Sequence, residues 1–154
     1  MKNEGKRFEE DFKKSIPESC WVYRLRDSAG AWQGGQATRF TSSNLCDFIV
    51  MARDYMYLLE LKSIKGKSLP SSCIRVQQLE GLSNIRHPKM CGAFVINFRD
   101  LEKTYIVQAY KIKEFLESSG RKSVPVKFCV ENGTEIPAIK KITRFKYSLE
   151  NILI

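Results

Sequence analysis

The residues best suited to chemistry are an aspartate in one apolar run and a glutamate and lysine in the next. They are Asp47 in Cys46-Asp47-Phe48-Ile49-Val50, and Glu60 and Lys62 in Leu59-Glu60-Leu61-Lys62. A carboxylate in an apolar strand costs several kcal/mol if buried alone, so Asp47 needs a partner. Glu60 and Lys62 are two apart, so on a strand they project from one face and Leu61 from the other. A hairpin turning at Arg53-Asp54 sets that face beside Asp47. Two adjacent carboxylates repel unless a cation lies between them, and oxygen ligands suit Mg²⁺ or Mn²⁺. Lys62 beside such an ion could orient or deprotonate a water, or stabilise charge developing on a phosphate. The same residue types also permit a plain ion pair of Lys62 with Asp47 or Glu60 at a sheet edge.

Two further residues fall in line. Glu9 follows Phe8 on the flank of an apolar helical stripe, from which it can look toward the sheet. An acid in a first turn stabilised by the helix dipole is the alternative. Gln78 lies four residues after Ile74 and four before Leu82, on an inward stripe, where a glutamine needs a hydrogen-bonding reason. Gln77 is its equally available neighbour.

Positioning these groups requires an α/β domain with a mixed sheet. Phe8, Phe12 and Ile16 recur at helical spacing over residues 4–15, and Pro17 stops that helix. Residues 20–25 are aromatic and β-favouring and predict a strand. Residues 28–43, with Gly30, Gly34 and Gly35, predict a long mobile loop. The hairpin follows over 45–51 and 55–61, then a basic loop over 63–70. A helix capped by Ser71 or Ser72 runs to about Asn84. Strands are expected over 92–98 and 103–107, and a helix over 110–119 ended by Gly120. Asn132-Gly133 predicts a second hairpin, pairing 126–130 with 135–139. The tail is basic and then apolar. Its Leu149–Ile154 end could be core or could supply a dimer surface.

Composition narrows the function. The chain has 154 residues, 26 Lys and Arg against 17 Asp and Glu, and a net charge of +9. Residues 62–89 hold six basic side chains against Glu80 alone, and residues 121–154 hold seven against three. Two basic zones in one small domain suggest a polyanion partner, although a solvated basic surface is the plainer alternative. Lys65, Lys67, Arg75 and Arg24 lie near the site in the chain and are the candidate phosphate clamps. Tail residues Lys140, Lys141, Arg144 and Lys146 are weaker candidates. The five cysteines form no C-x-x-C pair, which argues against a disulfide framework or zinc knuckle and for small buried residues in a reducing cytosol. His87 is the single histidine, so Ser-His-Asp chemistry has little to work with. No apolar run is long enough to span a membrane, and the polar start has no signal region, so a cytoplasmic protein is expected.

The set Gly5-x-x-Phe8-Glu9, Asp47, Glu60-Leu61-Lys62 and Gln78 resembles the PD-(D/E)xK nuclease superfamily. Cys46-Asp47-Phe48-Ile49, Leu59 to Ser63, Ser68-Leu69-Pro70 and Gly92 to Phe98 are similar to RecU-like Holliday junction resolvases, particularly the short phage-borne forms. The resemblance covers about residues 3–110, and it rests on the order and spacing of short motifs. It implies a restriction-endonuclease-like core, with residues 1–154 forming a single nuclease domain. It also implies Asp47, Glu60 and the Leu61 carbonyl as ligands of Mg²⁺, which Mn²⁺ could replace. Glu9 would support the site through water, Lys62 would activate the attacking water, and Gln78 would hold Lys62 or that water. The implied partner is branched DNA, especially a four-way junction cut on opposed strands by a homodimer in a bacterial or phage-infected cell. Residues 28–43, with Trp32, Arg39 and Phe40, stand where the family carries its DNA-contacting stalk and are shorter than a full stalk. Asp47 follows a cysteine rather than the usual proline. Another nuclease of the superfamily acting on linear DNA and a silent basic DNA-binding module are the competing functions.

Overall fold

The computed structural model describes residues 3–26 and 44–153. The loop predicted over 28–43 therefore lies outside the described residues, and Trp32, Arg39 and Phe40 with it. The elements are α1 (Glu4–Ser15), β1 (Trp21–Arg24), β2 (Phe48–Ala52), β3 (Tyr55–Ile64), β4 (Ser68–Pro70), α2 (Val76–Ser83) and β5 (Met90–Phe98). There follow β6 (Lys103–Gln108), α3 (Ala109–Ser119), β7 (Ser123–Pro125), α4 (Val126–Asn132), β8 (Thr134–Glu135), β9 (Ala138–Lys141) and β10 (Arg144–Tyr147).

Six strands form one mixed sheet in the order β1-β2-β3-β5-β6-β8. The β3–β5 pair is parallel and the other pairs are antiparallel. A parallel pair needs a crossover, and α2 supplies it. The expectation of an α/β fold with a mixed, restriction-endonuclease-like sheet holds.

Both faces of the sheet are covered, so its central strands are apolar on both sides. On one face Phe8 and Phe12 of α1 pack on Phe48, Val50, Leu59, Leu61 and Val95. On the other, Leu82, Ile112 and Cys129 pack on Leu58, Phe94, Ile96 and Val107. α1 begins at an N-cap, where the Asn3 side chain accepts a hydrogen bond from the Lys6 amide at 3.2 Å. Its buried stripe of Phe8 and Phe12 is the one predicted.

Several local expectations are corrected. Residues 126–132 form α4, not a strand, and Phe128 and Cys129 are its buried residues. Asn132-Gly133 ends that helix rather than turning a hairpin, and β8 pairs with β6 instead. Gly133 is needed there for close approach, because a Cβ would meet the Ile106 carbonyl oxygen at 2.7 Å. Ser71–Cys73 is a 3-10 turn, and α2 proper starts at Val76. The basic loop is shorter than expected, because β3 runs to Ile64 and β4 pairs with β7 in a small second sheet. Of the cysteines, Cys46 and Cys129 are buried, Cys20 and Cys91 are half-buried, and Cys73 is exposed. Leu149 and Leu153 lie in the core beside α1, so the apolar tail is core. Among the described residues no helix is long and apolar enough to cross a membrane.

Candidate active site

The β2–β3 register pairs Phe48 with Leu59, which sets Asp47 across from Glu60 one step beyond the end of β2. Asp47 therefore sits just before the strand rather than inside it. Its amide donates to the Leu59 carbonyl at 3.0 Å, and its own carbonyl accepts from the Leu25 amide at 2.9 Å. The ladder would next use the Leu61 amide. That amide instead donates to Asp47 Oδ2 at 2.7 Å. In a strand the N–H and C=O of one residue point to the same side, so the Leu61 carbonyl also points to this edge.

Glu60 is buried, at 4% exposure. Its Oε1 accepts from Lys62 Nζ at 2.9 Å. Its Oε2 is buried and has no hydrogen-bond partner among the described residues. Burial, followed by the negative charge of Glu60, raises the Asp47 carboxyl to about 7. The Leu61 amide opposes that rise, as does the Lys62 charge, while Glu9 adds to it. The Cys46 thiol is pushed up to about 12 by burial and by the Glu60 and Asp47 charges, so it is an inert neighbour.

Glu9 is held on α1 by an ion pair with Arg24 of β1. Glu9 is near enough to Asp47 for its charge to add to the rise in that carboxyl. Gln78 is buried at 5% exposure, whereas Gln77 is exposed, which resolves that choice. Its Nε2 donates to the Asn44 carbonyl at 3.2 Å, and its Oε1 is buried without a partner among the described residues. Gln78 is thereby tied to the segment that leads into Asp47. Lys65 and Lys67 are exposed in the turn between β3 and β4, and Arg75 is exposed at the N-cap of α2. Arg39 lies outside the described residues.

Among the described residues no three His, Cys, Asp or Glu side chains converge as a metal cluster. The donor set at this edge is smaller: two carboxylates and the backbone carbonyl of Leu61. The orphaned Glu60 Oε2 facing a second carboxylate fits a hard divalent cation. Mg²⁺ is bound through one or two carboxylates and keeps several of its waters. Sequence reasoning missed two parts of this edge. The Leu25 amide holds Asp47 from the far side, and Asn44 receives Gln78. Both are backbone contacts, which side-chain identity does not signal.

The mixed sheet and its two-carboxylate hairpin define a restriction-endonuclease-like α/β protein. A family model described as Recombination protein U matches residues 5–148. The chain belongs to that family. It is 30% identical to the SPbeta prophage-derived uncharacterized protein YotM of Bacillus subtilis (strain 168) over 167 residues, spanning 97% of this chain and 85% of that protein. It is 26% identical to the Holliday junction resolvase RecU of Lactococcus lactis subsp. cremoris (strain SK11) over 99 residues, 63% of this chain and 46% of that protein.

Proposed function

We propose that this chain is a metal-dependent endonuclease that resolves four-way DNA junctions by paired strand cleavage. The observation that carries this reading is the buried, partnerless Glu60 Oε2 set against Asp47 and next to Lys62. A fold that buries an acid normally completes its hydrogen bonds, and an incomplete one at a sheet edge points to a missing cation. Membership of the family and the likeness to a named junction resolvase supply the substrate class.

Asp47, Glu60 and the Leu61 carbonyl would hold Mg²⁺, with Mn²⁺ able to replace it. When bound, the ion would polarise the scissile phosphate and lower the pKa of a water. Glu60 Oε1 keeps Lys62 Nζ at the same edge, where Lys62 would orient the attacking water or take its proton. Glu9 would hold a further water on the α1 side. Gln78, tied to the Asn44 carbonyl, would position the segment that carries Asp47. Lys65, Lys67, Arg75, Arg24 and Arg39 would neutralise phosphates, giving salt-sensitive and sequence-blind affinity. The working unit would be a homodimer whose two sites cut opposed strands, in the cytoplasm of a bacterial or phage-infected cell.

The test is cleavage of a synthetic four-way junction and a matched linear duplex with Mg²⁺, Mn²⁺ or EDTA, beside Asp47→Asn. Paired, metal-dependent nicks in the junction alone, absent in Asp47→Asn, are expected. Cutting of both substrates would discard junction selectivity. DNA binding with no cutting under any metal would leave a basic DNA-binding domain.

A further inference from the structure

Strand β1 is an end strand of the six-stranded sheet among the described residues and carries two large exposed aromatics. Trp21 is 58% exposed and Tyr23 51%. Their rings are near-parallel, 12° apart in tilt, with centroids 6.1 Å apart. Two exposed rings held parallel on one strand form a flat apolar surface that nothing in the core requires.

The register shows where this surface lies. Val22 pairs with Val50 and Arg24 with Phe48, residues of the face covered by α1, and Arg24 accordingly meets Glu9. Trp21 pairs with Met51 and Tyr23 with Ile49, so both rings stand on the opposite face. Glu60 and Lys62, opposite in sense to Leu59 and Leu61, belong to that face too, and Asp47 lies just before β2 beside them. The Leu25 amide bonds the Asp47 carbonyl, which marks the site's position along β1. Two residues of strand span roughly 7 Å, so Tyr23 lies about 7 Å and Trp21 about 13 Å along β1 from Leu25, the residue bonded to Asp47.

We infer that Trp21 and Tyr23 are a stacking platform for a nucleobase of the DNA strand that enters the carboxylate site, splayed out of its helical stack. The inference rests on the DNA-cleaving function proposed above. Aromatic side chains take unstacked bases of any sequence, which suits an enzyme that reads shape. Charge favours DNA over a second copy of this chain. The strand's other side abuts a cavity of about 250 Å³ lined by Lys6, Lys13 and Arg24 together with Glu9 and Glu10. Two copies of a +9 chain would repel one another on approach, whereas a polyanion would be attracted.

The experiment uses full-length protein, metal-free, with a four-way junction carrying 2-aminopurine next to the branch point. Wild type, Trp21→Ala/Tyr23→Ala and Trp21→Phe/Tyr23→Phe are compared for junction affinity, 2-aminopurine fluorescence, oligomeric state and circular dichroism. Cleavage is then started with Mg²⁺. Wild type is expected to quench the fluorophore. The alanine pair is expected to bind about tenfold more weakly without quenching, and the phenylalanine pair to restore both. Both side chains are exposed, so a native spectrum is expected of each variant. If wild type binds and cuts the junction and the alanine pair matches it in affinity and quenching, the platform is overturned while the nuclease stands. A fall in oligomeric state in the alanine pair would also overturn it, assigning the rings to a protein interface. If wild type neither binds nor cuts, the parent reading fails first.

Discussion

Asp11 and Glu60 are both buried, on opposite faces of one sheet, yet the fold treats them differently. Asp11, on α1, is 7% exposed and Glu60 is 4% exposed. The Asp11 carboxylate is completed by the chain itself. Its Oδ1 accepts from Arg144 Nε at 2.6 Å and its Oδ2 from the Phe145 amide at 3.1 Å. Glu60 has Lys62 on one oxygen and a buried, unpartnered second oxygen, with a further carboxylate alongside. The first arrangement fastens α1 to the β9–β10 hairpin. The second leaves bonding capacity unused where a structural pair would have none to spare. The difference separates an acid whose bonds the chain completes from an acid left with an open oxygen.

The sharpest way to break this comparison is to neutralise one acid on each side. Asp47→Asn and Glu60→Gln are each expected to lower junction cleavage by about a thousandfold or more, roughly 4 kcal/mol of barrier, with a native circular dichroism spectrum. Asp11→Ala is expected to do the reverse. It should cost about 2–3 kcal/mol in urea unfolding by stranding the Phe145 amide and leaving Arg144 with Glu10, and leave cleavage per folded molecule near wild type.

A smaller effect is the pH dependence of stability in EDTA. The native Asp47 carboxyl keeps its proton up to about pH 7, whereas an unfolded aspartate releases it near 4. Between those values the folded state holds more protons, so stability falls as pH rises from about 4 to about 7. The slope is at most about 1.4 kcal/mol per pH unit. Asp47→Asn should flatten that slope. A slope unchanged in Asp47→Asn would mean that neither burial nor Glu60 raises this carboxyl. The smallest effects belong to the exposed cations. Lys65→Ala and Lys67→Ala should each weaken DNA binding a few-fold and lower the salt-dependence slope by about 1.

Much of this contrast was legible in the residues. The spacing of Asp47, Glu60 and Lys62 gave the hairpin and its shared face because strand periodicity is strict. Phe8 and Phe12 gave the docking side of α1 for the same reason in a helix. Gln78 was separable from Gln77 only once α2 had a definite rotation against the sheet. The segment 126–132 misled because Val126, Phe128 and Val130 alternate like a strand, and Asn132-Gly133 is a strong hairpin signal. Tertiary contact decided otherwise, with Phe128 and Cys129 burying one side of a short helix and Gly133 yielding space to β6. Asp11 was not legible at all. Its partners Arg144 and Phe145 are 133 and 134 positions away, and no local pattern announces such a bond.

That same distance gives the protein a built-in order of assembly. α1, which carries Glu9, is made well before the hairpin that seats it, and contacts of this sequence separation close late. During synthesis the β2–β3 carboxylates can form while α1 still lacks its clasp. A ribosome-bound chain that has not yet exposed residues 144–153 therefore holds α1 without its clasp.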